Sequence, residues 1–205
     1  MPPFTVLHVC LGNICRSPMA ERLLALAVRE RLARRGAADA DDADRLVHSH
    51  SAGTGGWHAG EEMNPPAARQ VRSRGGDVAD FGARKLRSEH IDAADLVLTA
   101  TADQQEYVVA LRPDAADRTF VLGEFGRLLP TVDFAVLPPA DPTDPAAVYA
   151  RGTALVAALA AARSGSSPLP GDDLDDPWGR GDQCFSRVAD EIEDAVRPLA
   201  AVLLP

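Results

Sequence analysis

The run Val9-Cys10-Leu11-Gly12-Asn13-Ile14-Cys15-Arg16-Ser17-Pro18 limits what this chain can fold into more than any other stretch. It continues a short apolar strand candidate, Thr5-Val6-Leu7-His8-Val9, and ends on a helix start signal. Ser17 suits the N-cap, and Pro18 the first helical position, where a missing N–H costs nothing. A loop that curls between strand and helix turns backbone N–H groups inward, and the helix N-terminus adds positive potential. Such a concavity holds a tetrahedral anion. The same field lowers a thiol pKa, so Cys10 is expected as a thiolate at neutral pH. Arg16 carries a planar fork that grips two phosphate oxygens. Cradle, thiolate and guanidinium together point to phosphoryl transfer through a phosphocysteine. The bland alternative is a buried cysteine at a strand end beside a capping serine, but that needs neither Gly12, Asn13 nor Arg16 at these places.

A chain of 205 residues can bury one α/β core. Its net charge of −9 argues against nucleic acid or an anionic membrane surface as a general partner. A local cradle can still be positive. No basic segment followed by an apolar one opens the chain, and no stretch approaches a membrane span, so a cytoplasmic protein is expected. The cysteines, Cys10, Cys15 and Cys184, are too few and too odd in number for a disulfide framework. No Cys/His grouping has zinc spacing, and neither a metal nor another cofactor is expected.

Taken in order, the pattern predicts a central parallel strand over 2–9 and a helix from Pro18 to about Arg35, ended by Gly36. Ala37 to Asp44 reads as an acidic solvent loop. Leu46 to Ser51 reads as a second strand, leading into the glycine-rich run Ser51-Ala52-Gly53-Thr54-Gly55-Gly56-Trp57. Strand, helix and strand form a parallel βαβ unit, which brings this run to the same sheet edge as the Cys10 loop. His58 has no partner by spacing. Asn64-Pro65-Pro66 starts a helix that Gly75-Gly76 ends, and Ala94 to Thr99 is a buried strand. Thr101 to Gln104 is a capping box for a helix to about Leu111. Arg118 to Leu122 is a fourth strand, followed by a helical turn over Glu124 to Leu129. Loops rich in Pro, Asp, Gly and Ser fill 130–145 and 164–175, around a helix from Asp144-Pro145 to Arg163. The last helix runs from about Gln183 towards Leu203, with Pro198 expected to kink or fray its end. A leaving phenolate needs a proton donor, and three Asp-Pro pairs are on offer: Asp141-Pro142, Asp144-Pro145 and Asp176-Pro177.

The string from Cys10 to Pro18 closely resembles the signature loop of the low-molecular-weight protein tyrosine phosphatases. The resemblance is strongest at residues 5–24, 46–60, 83–99 and 174–196. It implies an α/β fold, a three-layer sandwich with a central four-stranded parallel sheet, helices on both faces, flavodoxin-like. It implies one domain over 1–205, with extra loop or helix segments at about 36–45 and 130–173. It makes Cys10 the nucleophile, Arg16 and the loop residues Leu11, Gly12, Asn13, Ile14 and Cys15 the phosphate site, and Ser17 a donor to the Cys10 sulfur. Ser51 would buttress the loop, and Trp57 would wall the aromatic ring of phosphotyrosine. Of the Asp-Pro pairs it selects Asp176, followed by Pro177 and Trp178, as general acid and then base. Trp178 would face the ring opposite Trp57, and Asp175 is the competitor without the proline. Many members place a histidine where this chain has Phe81, in support of the signature asparagine, so Asn13 needs other support here.

The reaction so implied is hydrolysis of phosphotyrosine on a protein, or of a small aryl phosphate, by a monomer or weak dimer. A protein-arginine phosphatase is the alternative. Relatives of that kind tend to carry Thr where this chain has Ile14, and Ile favours an aryl group. An arsenate reductase would need two further cysteines, and 78–110 contains none. A silent phosphate-binding module would not need Cys10, Arg16 and Asp176 together. The family often pairs the two loop cysteines on oxidation, and an exposed thiolate is prone to sulfenic acid, which a nearby thiol traps as a disulfide. Activity lost to peroxide is therefore expected to return on adding thiol, and to fail to return in Cys15→Ser; equal recovery in both would refute a role for Cys15.

Overall fold

β1 (Phe4–Cys10) is buried along its whole length, as a strand inside a parallel sheet must be. The computed structural model describes the backbone of residues 1–36 and 40–205 and the side chains of 1–36 and 43–205. After β1 come α1 (Arg16–Ala33), α2 (Ala40–Leu46), β2 (Val47–Gly53), α3 (Pro65–Ser73) and α4 (Ser88–Asp92). β3 (Leu96–Thr99), α5 (Ala102–Leu111), β4 (Thr119–Val121), α6 (Leu122–Leu128), α7 (Pro145–Arg163) and α8 (Asp182–Leu203) complete the order. Among the described residues the strands form a four-stranded sheet in the order β2-β1-β3-β4, with every pair parallel.

Alternation along β1 divides the core. Phe4, Val6 and Cys10 join the larger apolar cluster with α1 and α8, while Leu7 and Val9 join Ile91 of α4 and Val108 of α5 on the other face. The result is the flavodoxin-like three-layer α/β fold. From β1 the chain steps outward to β2; β3 and β4 lie on the other side of β1. The loops after β1 and β3 therefore diverge at the carboxyl ends of neighbouring strands, the crevice where sheets of this kind bind ligands.

Several expectations are corrected. α1 begins at Arg16 with Cys15 at the N-cap, so Ser17 is not the cap and Pro18 is not the first helical residue. The Ser17 hydroxyl is committed to Cys10 and Asn13 instead. Pro18 still falls in the first turn, where no intrahelical partner is lost. The expected loop over 37–44 contains the start of α2; its residues 37–39 lie outside the described residues. The end of α8 beyond Pro198 is not frayed: the helix runs on to Leu203, as far as expected, with Leu199, Ala200, Val202 and Leu203 buried. Two arginines hold that end: Arg31 Nη2 donates to Ala201 O at 3.1 Å and Arg151 Nε to Val202 O at 2.6 Å, which suits the negative pole of a helix. By length and composition α7, 19 residues long, does meet the criterion for a membrane span, with a mean hydropathy of 1.3 over an 18-residue window. Its Val148, Leu155, Val156 and Leu159 are packed in the core, and Gly152 lies against the Phe4 ring.

His8 is a polar residue on the inner face of β1, 1% exposed. Its Nε2 bonds Ser49 Oγ at 3.2 Å, and that hydroxyl donates to Glu21 O. Burial, reinforced by His50, pushes the His8 imidazole down to about 3. A depressed folded-state pKa supplies stability above the ordinary value of 6.5, lost as the pH falls towards 3. His8→Leu is therefore expected to lose less stability than wild type between about pH 7 and about pH 4 in urea unfolding. Equal losses would mean that His8 does not contribute to the acid limb.

Candidate active site

The Cys10 loop is shaped by the strand beside it. Cys10 pairs with Gly53 at the end of the β1–β2 register, and Thr54 N and Gly55 N donate to Cys10 O and Leu11 O, each at 2.9 Å. A Cβ on Gly53 would lie 2.8 Å from Leu11 O and 2.9 Å from Asn13 N, so only glycine lets the two loops approach. At Asn13 the chain turns back with φ +56°, a left-handed conformation that asparagine tolerates better than most residues. Arg16 then opens α1, whose first turn carries no acidic residue and no side-chain cap. Its positive end is left free to face an anion.

Behind the loop, Asn13 is fully buried. Its Nδ2 donates to Ser17 Oγ at 2.9 Å and to Ser51 Oγ at 2.8 Å, and its Oδ1 accepts from Arg84 N at 2.9 Å. Ser17, Ser51 and the Arg84 backbone are thus the partners that hold Asn13. Ser17 Oγ lies 3.0 Å from Cys10 Sγ.

Tertiary contacts separate the three Asp-Pro pairs. Asp141 bonds Thr143, and Asp144 caps α7 through Ala146 N. Asp176 Oδ2 lies 3.2 Å from Arg16 Nη2. Its neighbour Asp175 turns to α8 and accepts from Arg187 Nη2 at 2.6 Å, which with Arg180 holds its carboxyl below the usual range. Each residue from Asp172 to Asp176 is tied to another part of the chain. Asp172 pairs with Arg127, Asp173 accepts from Ala102 N, and Leu174 N donates to Ala100 O. Leu174 O in turn accepts from Arg16 Nη1 at 3.1 Å. This segment is a fastened arm. Sequence reading missed Arg127, Asp172, Asp173 and Leu174, because nothing in local spacing ties an acidic loop to partners far along the chain.

Cys10, Leu11, Gly12, Ile14, Cys15, Arg16, Trp57, Asp176 and Trp178 all line one pocket, joined by His58. Asn13, Ser17 and Ser51 stand behind it. Trp57 and Trp178 are 67% and 65% exposed, so neither is a core aromatic, and the Trp57 ring covers Gly55, where a Cβ would collide with it. His58 does have a partner, Glu61 Oε2 at 2.8 Å, one helical turn away in spacing although the segment is not a helix. Cys15 is pushed up to about 12, mainly by burial and then by Cys10 and Asp176, against the pull of Arg16. It keeps its proton at neutral pH.

The family profile described as "Low molecular weight phosphotyrosine protein phosphatase" matches residues 5–145. This chain belongs to that family. A relative named low molecular weight protein-tyrosine phosphatase A, from Mycobacterium bovis, is 39% identical over 114 residues, 56% of this chain and 63% of the relative. The chain thus aligns with less than two thirds of that relative's length. A low molecular weight protein-tyrosine-phosphatase of Streptomyces coelicolor is 35% identical over 133 residues, 65% of this chain and 71% of the relative. Among solved structures, an arginine phosphatase from Geobacillus stearothermophilus is 27% identical with a TM-score of 0.62, covering 97% of this chain and 92% of that one. The matched profile stops before Asp176, so the arm that completes the pocket lies outside it.

One glycine governs that arm. A Cβ on Gly123 of α6 would meet the Asp172 backbone, with Cα at 2.7 Å and the carbonyl nearer still. Gly123→Ala is expected to cost about 1–3 kcal/mol in urea unfolding, and to shift Trp178 emission when measured in a Trp57→Phe background. Unchanged stability and emission together would show that the arm has room to spare.

Proposed function

We propose that this chain, as one domain, is a protein tyrosine phosphatase that hydrolyses phosphotyrosine through a phosphocysteine. One observation carries the reading: Cys10, Arg16 and Asp176 wall a single pocket whose mouth is framed by Trp57 and Trp178. The phosphate sits on the loop from Leu11 to Cys15, gripped by Arg16. Cys10 Sγ attacks phosphorus in line, the bond to the phenolic oxygen breaks, and Asp176 gives that oxygen its proton. Water then attacks phosphorus, Asp176 takes the water's proton, and the S–P bond breaks. Ser17 can donate to the departing sulfur across 3.0 Å. Arg16 and the loop amides stabilise the equatorial charge in both steps, so the reaction needs no metal.

The 27% identity with a solved arginine phosphatase supports a second reading. Against it, Ile14 and two tryptophans make an apolar wall better matched to an aryl ring than to a charged guanidinium. Either way the substrate is a phosphoprotein or a small phosphate ester or amidate.

In a chelator, wild type is expected to hydrolyse para-nitrophenyl phosphate, and Cys10→Ser to lose that turnover. Asp176→Asn is expected to slow it by about 10²–10⁴-fold for phenyl phosphate, and by less for the better nitrophenolate leaving group. Turnover that survives Cys10→Ser would end the phosphocysteine mechanism. Preference for phosphoarginine over phosphotyrosine would select the second reading.

A further inference from the structure

Lys85 borders the pocket on its Trp57 side. Its backbone bridges to Gly53, and Leu86 N donates to Gly53 O at 2.6 Å. The same segment is tied to the loop that carries Trp57 and His58: Ala83 N donates to Glu61 O at 2.8 Å, and Gly60 N to Ala83 O at 2.7 Å. The Lys85 stem lies along Gly56, the residue before Trp57. A Cβ on Gly56 would sit 3.0 Å from Lys85 Cδ and 3.3 Å from Lys85 Cβ. The methylenes are thus laid against the loop, while Lys85 as a whole stays exposed. Leu86 is buried, and Arg87 is extended, with φ −126° and ψ 158°. Alternation therefore puts Lys85 and Arg87 on the outward side, about 7 Å apart.

Both cations are exposed, and among the described residues neither is in an ion pair. The Trp178 side of the mouth differs. There Arg180 lies 3.5 Å from Asp175 Oδ2, and Arg187 is shared by Asp175 and Glu191. Of the carboxylates near Lys85 and Arg87 in the chain, Glu61 is turned to His58 at 2.8 Å, and Glu89 forms no ion pair among the described residues. Arg84 adds its charge to the same flank, donating to Ser51 O and to His50 Nδ1. Burial, then Arg84 and Arg87, hold the His90 imidazole below its usual range against the pull of Glu89. One wall of the mouth is therefore positive, in a chain whose net charge is −9.

We propose that Lys85 and Arg87 form a docking strip for an acidic stretch of the substrate protein, beside its phosphotyrosine. This rests on the phosphotyrosine reading above and deepens it. Alternate residues of an extended peptide are also about 7 Å apart, so two carboxylates at alternate positions meet both cations. Four residues span about 13 Å, enough to carry the peptide across the Trp57 indole. A long polyanion would meet the rest of an acidic surface as well, whereas a short segment meets only the strip.

The test compares three phosphotyrosyl peptides of equal length. One has alanines around the phosphotyrosine, one has Glu-Ala-Glu-Ala before it, and one has Ala-Glu-Ala-Glu after it. Affinity is measured by calorimetry on Cys10→Ser, and kcat/KM on the active chain, at about 0.02 M and about 0.3 M salt. One acidic peptide or both is expected to bind about threefold to tenfold tighter than the alanine peptide at low salt, with most of the gain lost at high salt. The gain in kcat/KM is expected to come through KM. Lys85→Gln combined with Arg87→Gln is expected to remove the preference. The ratio of acidic to alanine peptide, taken within each protein, cancels any change in the pocket itself. Arg180→Gln, which removes a cation near Trp178, is expected to keep the preference.

Equal or absent affinity for all three peptides overturns the inference. So does a preference that survives the double substitution, or one that Arg180→Gln abolishes as fully, since that would be an effect of net charge. Turnover of all three peptides without preference leaves the phosphatase reading standing and ends the docking strip. Preference in binding without turnover does the reverse.

Discussion

The site depends on the backbone of Asn13. A non-glycine residue in the left-handed region costs of order 1 kcal/mol, and here that turn at φ +56° curls the loop between β1 and α1. The conformation persists because the side chain is saturated from three directions: Ser17 on α1, Ser51 on β2 and the Arg84 backbone. Each lies on a different segment, so the loop is shaped by the assembled sheet and not by its own residues. Take those bonds away and a buried amide is left unsatisfied.

From that turn the geometry follows outward. Gly53 lets β2 and its following loop press against Leu11 and Asn13. The helix that starts at Arg16 directs its positive end at the same spot. The protein is acidic overall, with a net charge of −9, but no carboxylate lies in the first turn of α1. Among the described residues the one carboxylate that lines the pocket, Asp176, is paired with Arg16. Burial keeps Arg16 from being fully screened by water, so its charge acts locally whatever the sign of the whole molecule.

The arm that carries Asp176 solves a different problem. It comes from more than 150 residues further along the chain, as the separation of 158 between Arg16 and Leu174 shows. Its end is fixed by backbone and ionic ties to α5, α6, α8 and the end of β3. Arg16 is shared by the two halves, since its guanidinium reaches both Leu174 O and Asp176. A single buried side chain thus links the Cys10 loop to the Asp176 carboxyl group.

The sequence alone determined the strands, most helices and the Cys10 loop, because these rest on short-range chemistry: alternation, helical spacing, glycine, and a thiol and guanidinium at fixed separation. It also placed the βαβ unit and so brought Trp57 towards the loop. It mistook Ser17 for a cap, since a serine before proline looks the same whether its hydroxyl serves a helix or a sulfur. It could name Asp176 only by resemblance, and it left the support of Asn13 open. Folding decided those points. Which carboxylate faces Arg16, which hydroxyls hold Asn13 and which helix survives Pro198 are settled by contacts between segments distant in the chain, and no local pattern records them.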